Sequence, residues 1–181
     1  MALGENFFRI VEKRRSVRKY KQCEISTEHL KKILEAARLA PSARNAQPWR
    51  FIVVNDQKMK EFLAKAVGDQ GFLVDANVVI VVLGDPGVAP YWFVRDPMIA
   101  AEHIILAATA LGYGTCWIGA LADYVPENMD DVKKRLNIPE KITVVCLVTI
   151  GVPDEEPMAR PRKNLQEICF SELYGETLKL S

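Results

Sequence analysis

Two short runs of almost entirely apolar residues constrain the fold of this chain more than any other feature. They cover residues 78–83 (VVIVVL) and 143–150 (TVVCLVTI) and are rich in β-branched side chains. A strand with one face in solvent alternates apolar and polar residues, whereas a strand covered on both faces is apolar throughout. Both runs therefore predict central strands of a sheet that is covered on its two faces.

Segments with apolar residues at helical spacing lie around these strands. Helices are predicted over residues 6–14, 27–40, 56–68, 96–112 and 126–136. Their predicted N-terminal caps include Asn6, Asp56 and Asp96. Further strands are predicted at 49–55 and, as a short strand or an extended turn, at 115–120. The length fits a single domain over residues 1–181, with an α/β or α+β fold in three layers and the strand direction left open.

The charge of the chain is almost balanced, with 24 basic and 23 acidic residues and a net charge of +1. Such a chain has no general attraction for nucleic acid or for an anionic membrane, so neither is an expected partner. The apolar stretch at residues 99–121 contains Glu102 and His103, which indicates a buried helix and turn rather than a membrane span. Any function of the basic residues must therefore be local.

The N-terminal sequence lacks the long apolar run of a signal peptide, which favours a cytoplasmic location. The four cysteines show no CxxC spacing, and the chain has only two histidines. A metal site is therefore not expected, and a cytoplasmic chain keeps such cysteines as free thiols.

Two clusters of basic residues lie near opposite ends of the sequence. The N-terminal arginine cluster contains Arg14, Arg15, Ser16 and Arg18, and the C-terminal arginine cluster contains Arg160, Arg162 and Lys163. Guanidinium groups donate forked pairs of hydrogen bonds that match phosphate oxygens, so the clusters would form a phosphate site if the fold joins them. The alternative is a solvated helix end whose basic side chains complement the helix dipole. The spacing alone does not decide between the two.

A polar loop flanked by prolines, PSARNAQPW at residues 41–49, connects the second helix to the first strand. The prolines stiffen the loop. Four of its residues carry side chains that donate or accept hydrogen bonds, namely Ser42, Arg44, Asn45 and Gln47. Such a loop suits recognition of the edge of a planar heterocycle, although a capped connection between a helix and a strand has a similar composition.

The sequence GYGTCWIG at residues 112–119 does not have the spacing of the G-x-G-x-x-G motif. It also follows a predicted helix rather than a strand, so the pattern does not support a Rossmann fold. The glycines instead predict a helix end and a close approach of the backbone to other groups. Gly119 would allow a ligand to lie flat against the main chain.

Taken in order, these segments resemble the nitroreductase family of FMN-dependent oxidoreductases. The resemblance covers nearly the whole chain and rests on four motifs. They are R-R-S-x-R at 14–18, P-S-x-x-N-x-Q-P-W at 41–49, G-Y-G-T-x-W-I-G at 112–119 and R-x-R-K-x-L-x-E at 160–167. Each motif alone is weak, whereas the four in the family's order are specific.

The resemblance implies a role for each matching residue. The phosphate, ribityl chain and pyrimidine edge of FMN would be held by Arg14, Arg15, Ser16 and Arg18, and the phosphate also by Arg160 and Arg162. The other subunit would contribute Pro41, Ser42, Ala43, Arg44 and Asn45, with Gln47 assisting. The flavin ring would lie near Ile118 and Gly119, with a backbone N–H close to its N5. No side chain would be catalytic, because the flavin carries the chemistry.

The resemblance also implies an architecture. It predicts an α+β fold with a central, mostly antiparallel sheet flanked by helices, in an intertwined homodimer with two FMN sites at the interface. Residues 152–181 would form a C-terminal arm toward the partner subunit. Two features depart from the family: residues 68–95 leave little room for a helical insertion over the flavin, and Arg44 places a cation where many relatives have a small or apolar residue. The second departure hints at an anionic substrate.

The leading hypothesis is an FMN-dependent oxidoreductase that passes two electrons from NADH or NADPH to an organic acceptor of nitroaromatic or quinone type by a ping-pong mechanism. Two alternatives remain open. One is a flavin-dependent reductive dehalogenase or a dehydrogenase of a bound substrate, and the other is a non-catalytic protein that binds or stores FMN.

Overall fold

A four-stranded antiparallel sheet forms the centre of the fold. The computed structural model of the chain describes residues 3–119 and 126–179. The strands are β1 (Trp49–Val54), β2 (Val78–Gly84), β3 (Gly114–Gly119) and β4 (Thr143–Gly151). Their order in the sheet is β1-β2-β4-β3, and each neighbouring pair is antiparallel. This pairing settles the strand direction that periodicity left open and confirms the sheet that the family resemblance implied.

The two apolar runs form the central strands, as predicted. Every residue of β2 is buried, and in β4 only Thr143 is partly exposed. Val79 and Val81 pack into the core on one face of the sheet, whereas Ile80 and Val82 pack into the core on the other. Strands that bury both faces need an apolar residue at every position, which explains the absence of alternation.

Helices cover both faces of the sheet. They are α1 (Leu3–Lys13), α2 (Thr27–Arg38), α3 (Gln57–Ala66), α4 (Phe72–Asp75), α5 (Arg95–Ala110), α6 (Pro126–Arg135) and α7 (Leu165–Ile168). Residues of α2 and α5 pack with Ile80 and Val82, and residues of α3, α4 and α6 pack with Val79 and Val81. These layers confirm the three-layer α+β fold. No helix within residues 3–119 and 126–179 is long and apolar enough to cross a membrane.

The helix ends confirm one predicted cap and correct two others. Asp56 caps α3, because its carboxylate accepts the Met59 N–H at 2.8 Å. α1 begins at Leu3, so Asn6 lies inside the helix rather than before it. α5 begins at Arg95, so Asp96 lies within its first turn. The physical reason is that the Asp96 side chain bonds to the loop at residues 41–47 instead of to its own helix end.

Candidate functional site

The N-terminal arginine cluster is held against β3, which is an edge strand of the sheet. The Val17 N–H donates to Thr115 O at 2.8 Å, and Ser16 forms a bridge with the same residue. The Val17 side chain packs over Gly114, where an added Cβ would lie 2.8 Å from it. Glycine is required there because a side chain would push the cluster away from the sheet.

A buried tyrosine fixes the segment that follows this cluster. The Tyr20 side chain is 6% exposed. Its hydroxyl donates to Val17 O at 2.5 Å and lies 2.7 Å from Thr149 Oγ1, which also accepts the Cys116 N–H at 3.0 Å. Burial raises the pKa of Tyr20 well above its ordinary value, so the phenol stays protonated. The two hydroxyls therefore link the cluster to β3 and β4.

The chain that follows β4 returns alongside the same segment. The N–H groups of Lys21 and Asp154 each donate a backbone hydrogen bond of 2.9 Å between the two segments. The Glu155 carboxylate accepts the N–H of Arg18 and, at 3.1 Å, the N–H of Lys19. These bonds carry the C-terminal arginine cluster to the N-terminal one.

The two clusters line one cavity of about 300 Å³, referred to below as the anion cavity. Its lining residues are Arg14, Arg15, Ser16, Arg18, Glu155, Pro157, Met158, Arg160 and Arg162. Five guanidinium groups thus accompany one carboxylate, in a chain whose net charge is only +1. Such a concentration of forked donors suits a phosphate-sized anion. The structure brings together the six cluster residues that the family resemblance implied for FMN, whereas Lys163, the seventh member of the clusters, does not line this cavity.

Some of these guanidinium groups also make structural contacts. Arg15 Nη1 donates to Glu12 O at 2.5 Å and to Arg14 O at 2.7 Å, which satisfies carbonyls at the end of α1. Arg162 Nη1 lies 3.2 Å from Arg160 O. The alternative that the N-terminal arginine cluster serves the end of a helix is therefore partly correct for Arg15, which bonds to carbonyls at the end of α1. A guanidinium has five N–H donors, so these bonds leave others for a ligand.

Two cysteine thiols, of which Cys116 lies near the N-terminal arginine cluster, pack as core residues. Cys116 is 2% exposed, and burial raises the pKa of its thiol, an effect that Arg18 and Ser16 oppose. Burial raises the pKa of Cys146 to about 12. Both thiols therefore remain protonated near neutral pH and do not provide a thiolate nucleophile.

A second, shallower depression adjoins the anion cavity. It measures about 290 Å³ and is referred to below as the α5 depression. Its lining residues are Arg14, Ser16, Met98, Ala101, Glu102, Ile105 and Trp117. Arg14 and Ser16 line both cavities, so the two cavities lie on either side of the same residues.

Ile118 and Gly119 lie at the end of β3, and their expected position near the flavin ring stays a prediction. An added Cβ on Gly119 would lie 1.9 Å from the Trp117 ring. The Trp117 indole therefore occupies the space beside Gly119 that a side chain would need. Ile118 packs into the core on the α3 side of the sheet, so its side chain faces away from the α5 depression.

The loop at residues 41–47 adopts a defined and unusual conformation. Arg44, Asn45 and Gln47 have φ values of 54°, 57° and 51°, which are rarely adopted by residues other than glycine. The Gln47 N–H donates to Ser42 Oγ at 3.0 Å, and the Ala43 N–H donates to Asp96 Oδ2 at 3.0 Å.

The loop residues do not join the arginines within one chain. The residues concerned are Pro41, Ser42, Ala43, Arg44, Asn45 and Gln47, and none of them lines the anion cavity or the α5 depression as the described part of the chain forms them. Arg44, Asn45 and Gln47 are exposed. The expectation that the loop acts in the site of another subunit stays a prediction.

Sequence patterns do not reveal three residues that shape these elements, namely Tyr20, Asp96 and Glu155. Asp96 offers a partial signal, because an aspartate before Pro97 at a predicted helix start indicates a bonded carboxylate without indicating its partner. Tyr20 and Glu155 offer no comparable signal, since their bonds join segments far apart in sequence.

The fold and the cavities together define a class of protein: a three-layer α+β protein with an arginine-lined cavity where an N-terminal and a C-terminal segment meet beside a sheet edge. The model of the nitroreductase family matches residues 11–71 and 61–152. The chain belongs to the nitroreductase family.

Individual relatives agree with this assignment. A protein of Archaeoglobus fulgidus named "Putative NADH dehydrogenase/NAD(P)H nitroreductase" is 41% identical over 155 residues, which make up 84% of this chain and 88% of the relative. The solved structure of an FMN-dependent nitroreductase from Clostridium difficile R20291 is 36% identical, with a TM-score of 0.81 over 91% of this chain and 98% of that one. NADPH:FMN oxidoreductase from Vibrio harveyi, solved in complex with NAD+, is 25% identical, with a TM-score of 0.84 over 96% and 80% of the two chains.

Proposed function

We propose that this protein is an FMN-dependent oxidoreductase that passes two electrons from NADH or NADPH to an organic acceptor, of nitroaromatic or quinone type, by alternating half-reactions. The observation that carries the proposal is the anion cavity with its five guanidinium groups, beside the α5 depression with which it shares Arg14 and Ser16. Membership of the nitroreductase family and the names of the relatives support the same activity.

The residues present fit a flavin mononucleotide. A phosphate monoester carries nearly two negative charges near neutral pH, and forked guanidinium donors match its oxygens in pairs. Arg14, Arg15, Arg160 and Arg162 would hold the phosphate, and the Ser16 hydroxyl would donate one further hydrogen bond. When bound, FMN supplies the group that accepts and donates hydride.

The protein's part in this reaction is to bind FMN and to orient the reacting groups. The bonds of Tyr20 and Glu155 to Val17 O and Arg18 N hold the backbone of the segment between α1 and the sheet in one position, so that only side chains would need to be ordered when the ligand enters. Donors along β3 and the N-terminal arginine cluster would stabilise negative charge at the planar end of the ligand. No side chain is assigned as nucleophile or base, in keeping with the raised pKa of the Cys116 and Cys146 thiols.

We further propose that the functional unit is a homodimer with two FMN sites at its interface. The loop at residues 41–47 would then complete the site of the partner subunit. Its exposed polar residues are held in a fixed conformation but line neither cavity formed by the described part of their own chain, which supports this arrangement. Residues 152–181 would reach toward the partner, and their exposed Met158, Leu173 and Tyr174 offer apolar surface for it.

Residues 1–181 would form a single domain, and the proposed location is cytoplasmic. All four cysteines are unpaired, including the exposed Cys23. Free thiols are typical of proteins in a reducing compartment, which supports this location.

Purification tests the proposal directly. The protein should be yellow and should carry one FMN per subunit, and it should oxidise NADH or NADPH when a quinone or nitroaromatic acceptor is present. A colourless protein that takes up no added FMN would contradict the proposal. Bound FMN with no turnover of any acceptor would favour a storage protein. Turnover of a halogenated or other bound substrate alone would favour the dehalogenase or dehydrogenase alternative.

A further inference from the structure

Asp96 is a buried carboxylate whose bonding partner lies in a different element of the fold. It is 3% exposed and occupies the first turn of α5. A buried carboxylate is costly unless it is hydrogen-bonded, and the positive end of a long helix favours it. The side chain of the neighbouring Arg95 is engaged elsewhere, because its Nη1 donates to Tyr91 O at 2.8 Å and its guanidinium lies 5.5 Å from the Trp92 ring.

The partner of this carboxylate is the backbone of the loop at residues 41–47. Asp96 Oδ2 accepts the Ala43 N–H at 3.0 Å. Arg44 and Asn45, which have positive φ values, follow directly, and Gln47, also with positive φ, comes after Ala46. Such a conformation persists without glycine only where surrounding contacts impose it. The carboxylate is one such contact, and the bond from Gln47 N–H to Ser42 Oγ is another.

We infer that Asp96 is a positioning residue that holds the loop at residues 41–47 in the conformation in which it binds FMN. The inference rests on the proposed function, because the loop's role toward FMN belongs to that proposal. The same helix lines the α5 depression through Met98, Ala101 and Ile105. Asp96 therefore ties the loop, which would complete the partner subunit's site, to the helix that lines the α5 depression of its own chain.

The conformation of the loop determines what fraction of the protein molecules can bind FMN. Without the carboxylate, the left-handed residues relax, and only a fraction of the molecules presents the loop correctly. Apparent affinity for a ligand falls in proportion to that fraction. A loop that is correctly formed in one molecule out of ten would weaken FMN binding about tenfold.

The experiment compares three variants of the full chain with the wild type. Asp96→Ala removes the acceptor, and Asp96→Asn keeps an oxygen able to accept the Ala43 N–H. Asp56→Ala is the matched control, because it removes a carboxylate that accepts a backbone N–H at 2.8 Å at the start of another helix. FMN affinity is measured by fluorescence titration of the apoprotein, and thermal stability is measured alongside.

We expect both alanine variants to lower the melting temperature, whereas only Asp96→Ala weakens FMN binding, by about tenfold. Asp96→Asn should bind within about threefold of the wild type. Equal FMN affinity in Asp96→Ala and Asp56→Ala would overturn the inference while leaving the proposed function intact. Failure of the wild type to bind FMN would instead contradict the proposed function.

If Asp96→Ala does not fold, amide hydrogen exchange tests whether Asp96 holds the loop at residues 41–47. In the FMN-loaded wild type the Ala43 amide should exchange slowly, and in Asp96→Asn it should exchange faster. An Ala43 amide that exchanges as fast as that of an exposed, unbonded loop residue in the wild type would overturn the inference.

Discussion

At the scale of single residues, Arg14 has the most central position in the site. It lines the anion cavity and the α5 depression, and it follows directly on α1, with its N–H donating to Ile10 O at 3.0 Å. Its backbone is therefore fixed at the end of a helix beside both cavities. Binding of a ligand by Arg14 would require ordering of its side chain but no further ordering of its backbone.

Arg14→Ala should weaken FMN binding by about 2–3 kcal/mol, the scale for removing a charge-assisted hydrogen bond to a phosphate. This corresponds to a roughly 30- to 150-fold higher Kd in a fluorescence titration. Arg38→Ala is the control, because Arg38 is exposed and pairs with Glu35 on α2. Equal losses in the two variants would show that overall charge, and not the cavity, determines the affinity.

A buried lysine gives a second prediction at the same scale. Lys60 is 5% exposed, and its Nζ donates to Ala76 O at 2.7 Å. Burial lowers the pKa of this ammonium group below its ordinary 10.5, and Asp75 and Asp56 oppose the shift. Between the lowered pKa and 10.5, the unfolded chain binds more protons at this group than the folded chain does. The contribution of Lys60 to the free energy of unfolding therefore rises with pH across that window.

Urea denaturation of the wild type and Lys60→Met at neutral pH and just below pH 10.5 checks this sign. The wild type should gain stability relative to the variant at the higher pH. Tyr20 and Cys116 titrate in alkaline solution in both proteins, so their effects cancel in the comparison. A stability difference that does not change with pH would contradict the burial effect on Lys60.

At the scale of elements, the contact between residues 19–21 and 152–155 decides whether the anion cavity has both its walls. Glu155→Ala removes the acceptor for the Arg18 and Lys19 N–H groups. We expect the segment that carries Arg160 and Arg162 to separate from the N-terminal cluster, with FMN binding weakened roughly tenfold. Tryptic cleavage within this segment should be faster, as followed by mass spectrometry.

The exposed neighbour Glu156 provides the control for this prediction. Glu156→Ala removes the same charge at the next position, where the side chain is exposed. By charge alone, loss of either carboxylate favours an anionic ligand, so Glu156→Ala should bind FMN as tightly as the wild type or slightly more tightly. If Glu156→Ala weakens FMN binding as much as Glu155→Ala does, the bonds of Glu155 to Arg18 and Lys19 are not the cause of the loss.

Another element-scale prediction concerns the end of β3. Gly119→Ala places a methyl group where the Trp117 ring lies, at 1.9 Å in the unrelaxed structure. The ring must move, so we expect a loss of about 1–3 kcal/mol in the free energy of unfolding and altered indole fluorescence. Gly4→Ala is the control, because an added Cβ at Gly4 meets nothing within 4 Å. Unchanged fluorescence in Gly119→Ala would contradict the packing of Trp117 against Gly119.

At the scale of the whole molecule, the dimer proposal predicts that damage to the two walls of a site can be complemented between chains. Arg14→Ala alters the cavity of its own chain, whereas Asn45→Ala alters the loop given to the partner. A heterodimer of the two variants then has one unaltered site and one doubly altered site. Random mixing makes half of the dimers mixed, so about a quarter of all sites should be unaltered.

Unfolding and refolding an equal mixture of the two variants tests this arrangement. FMN binding with the wild-type affinity should return at about a quarter of the sites. A loop that acts within its own chain would leave every site altered, and no wild-type affinity would return. Each variant refolded alone supplies the baseline.

Sequence analysis predicts the helix and sheet layers of this fold, but it does not predict the hydrogen bonds that join distant segments. The apolar runs at 78–83 and 143–150 identify the central strands because complete burial leaves a local pattern. The motif residues of the two arginine clusters are likewise visible in the sequence, and the fold joins them. The strand direction depends on pairing between distant segments, so it followed only from the family resemblance.

The residues that hold the site together are hidden for the same reason. Asp96 bonds across 53 residues, Tyr20 across 129 and Glu155 across 137. No local periodicity carries such contacts, since a polar residue with a distant partner has the same neighbours as one in solvent. The role of Gly119 is also invisible locally, because it depends on the rotamer of Trp117.

The meeting of the two arginine clusters has a consequence for biosynthesis. The cluster around Arg14 is synthesised before β4 and before the segment with Arg160 and Arg162. A nascent chain therefore presents one wall of the anion cavity before the other wall exists. An anion can bind between both walls only after the segment with Arg160 and Arg162 has been synthesised and has packed beside Arg18 and Lys19.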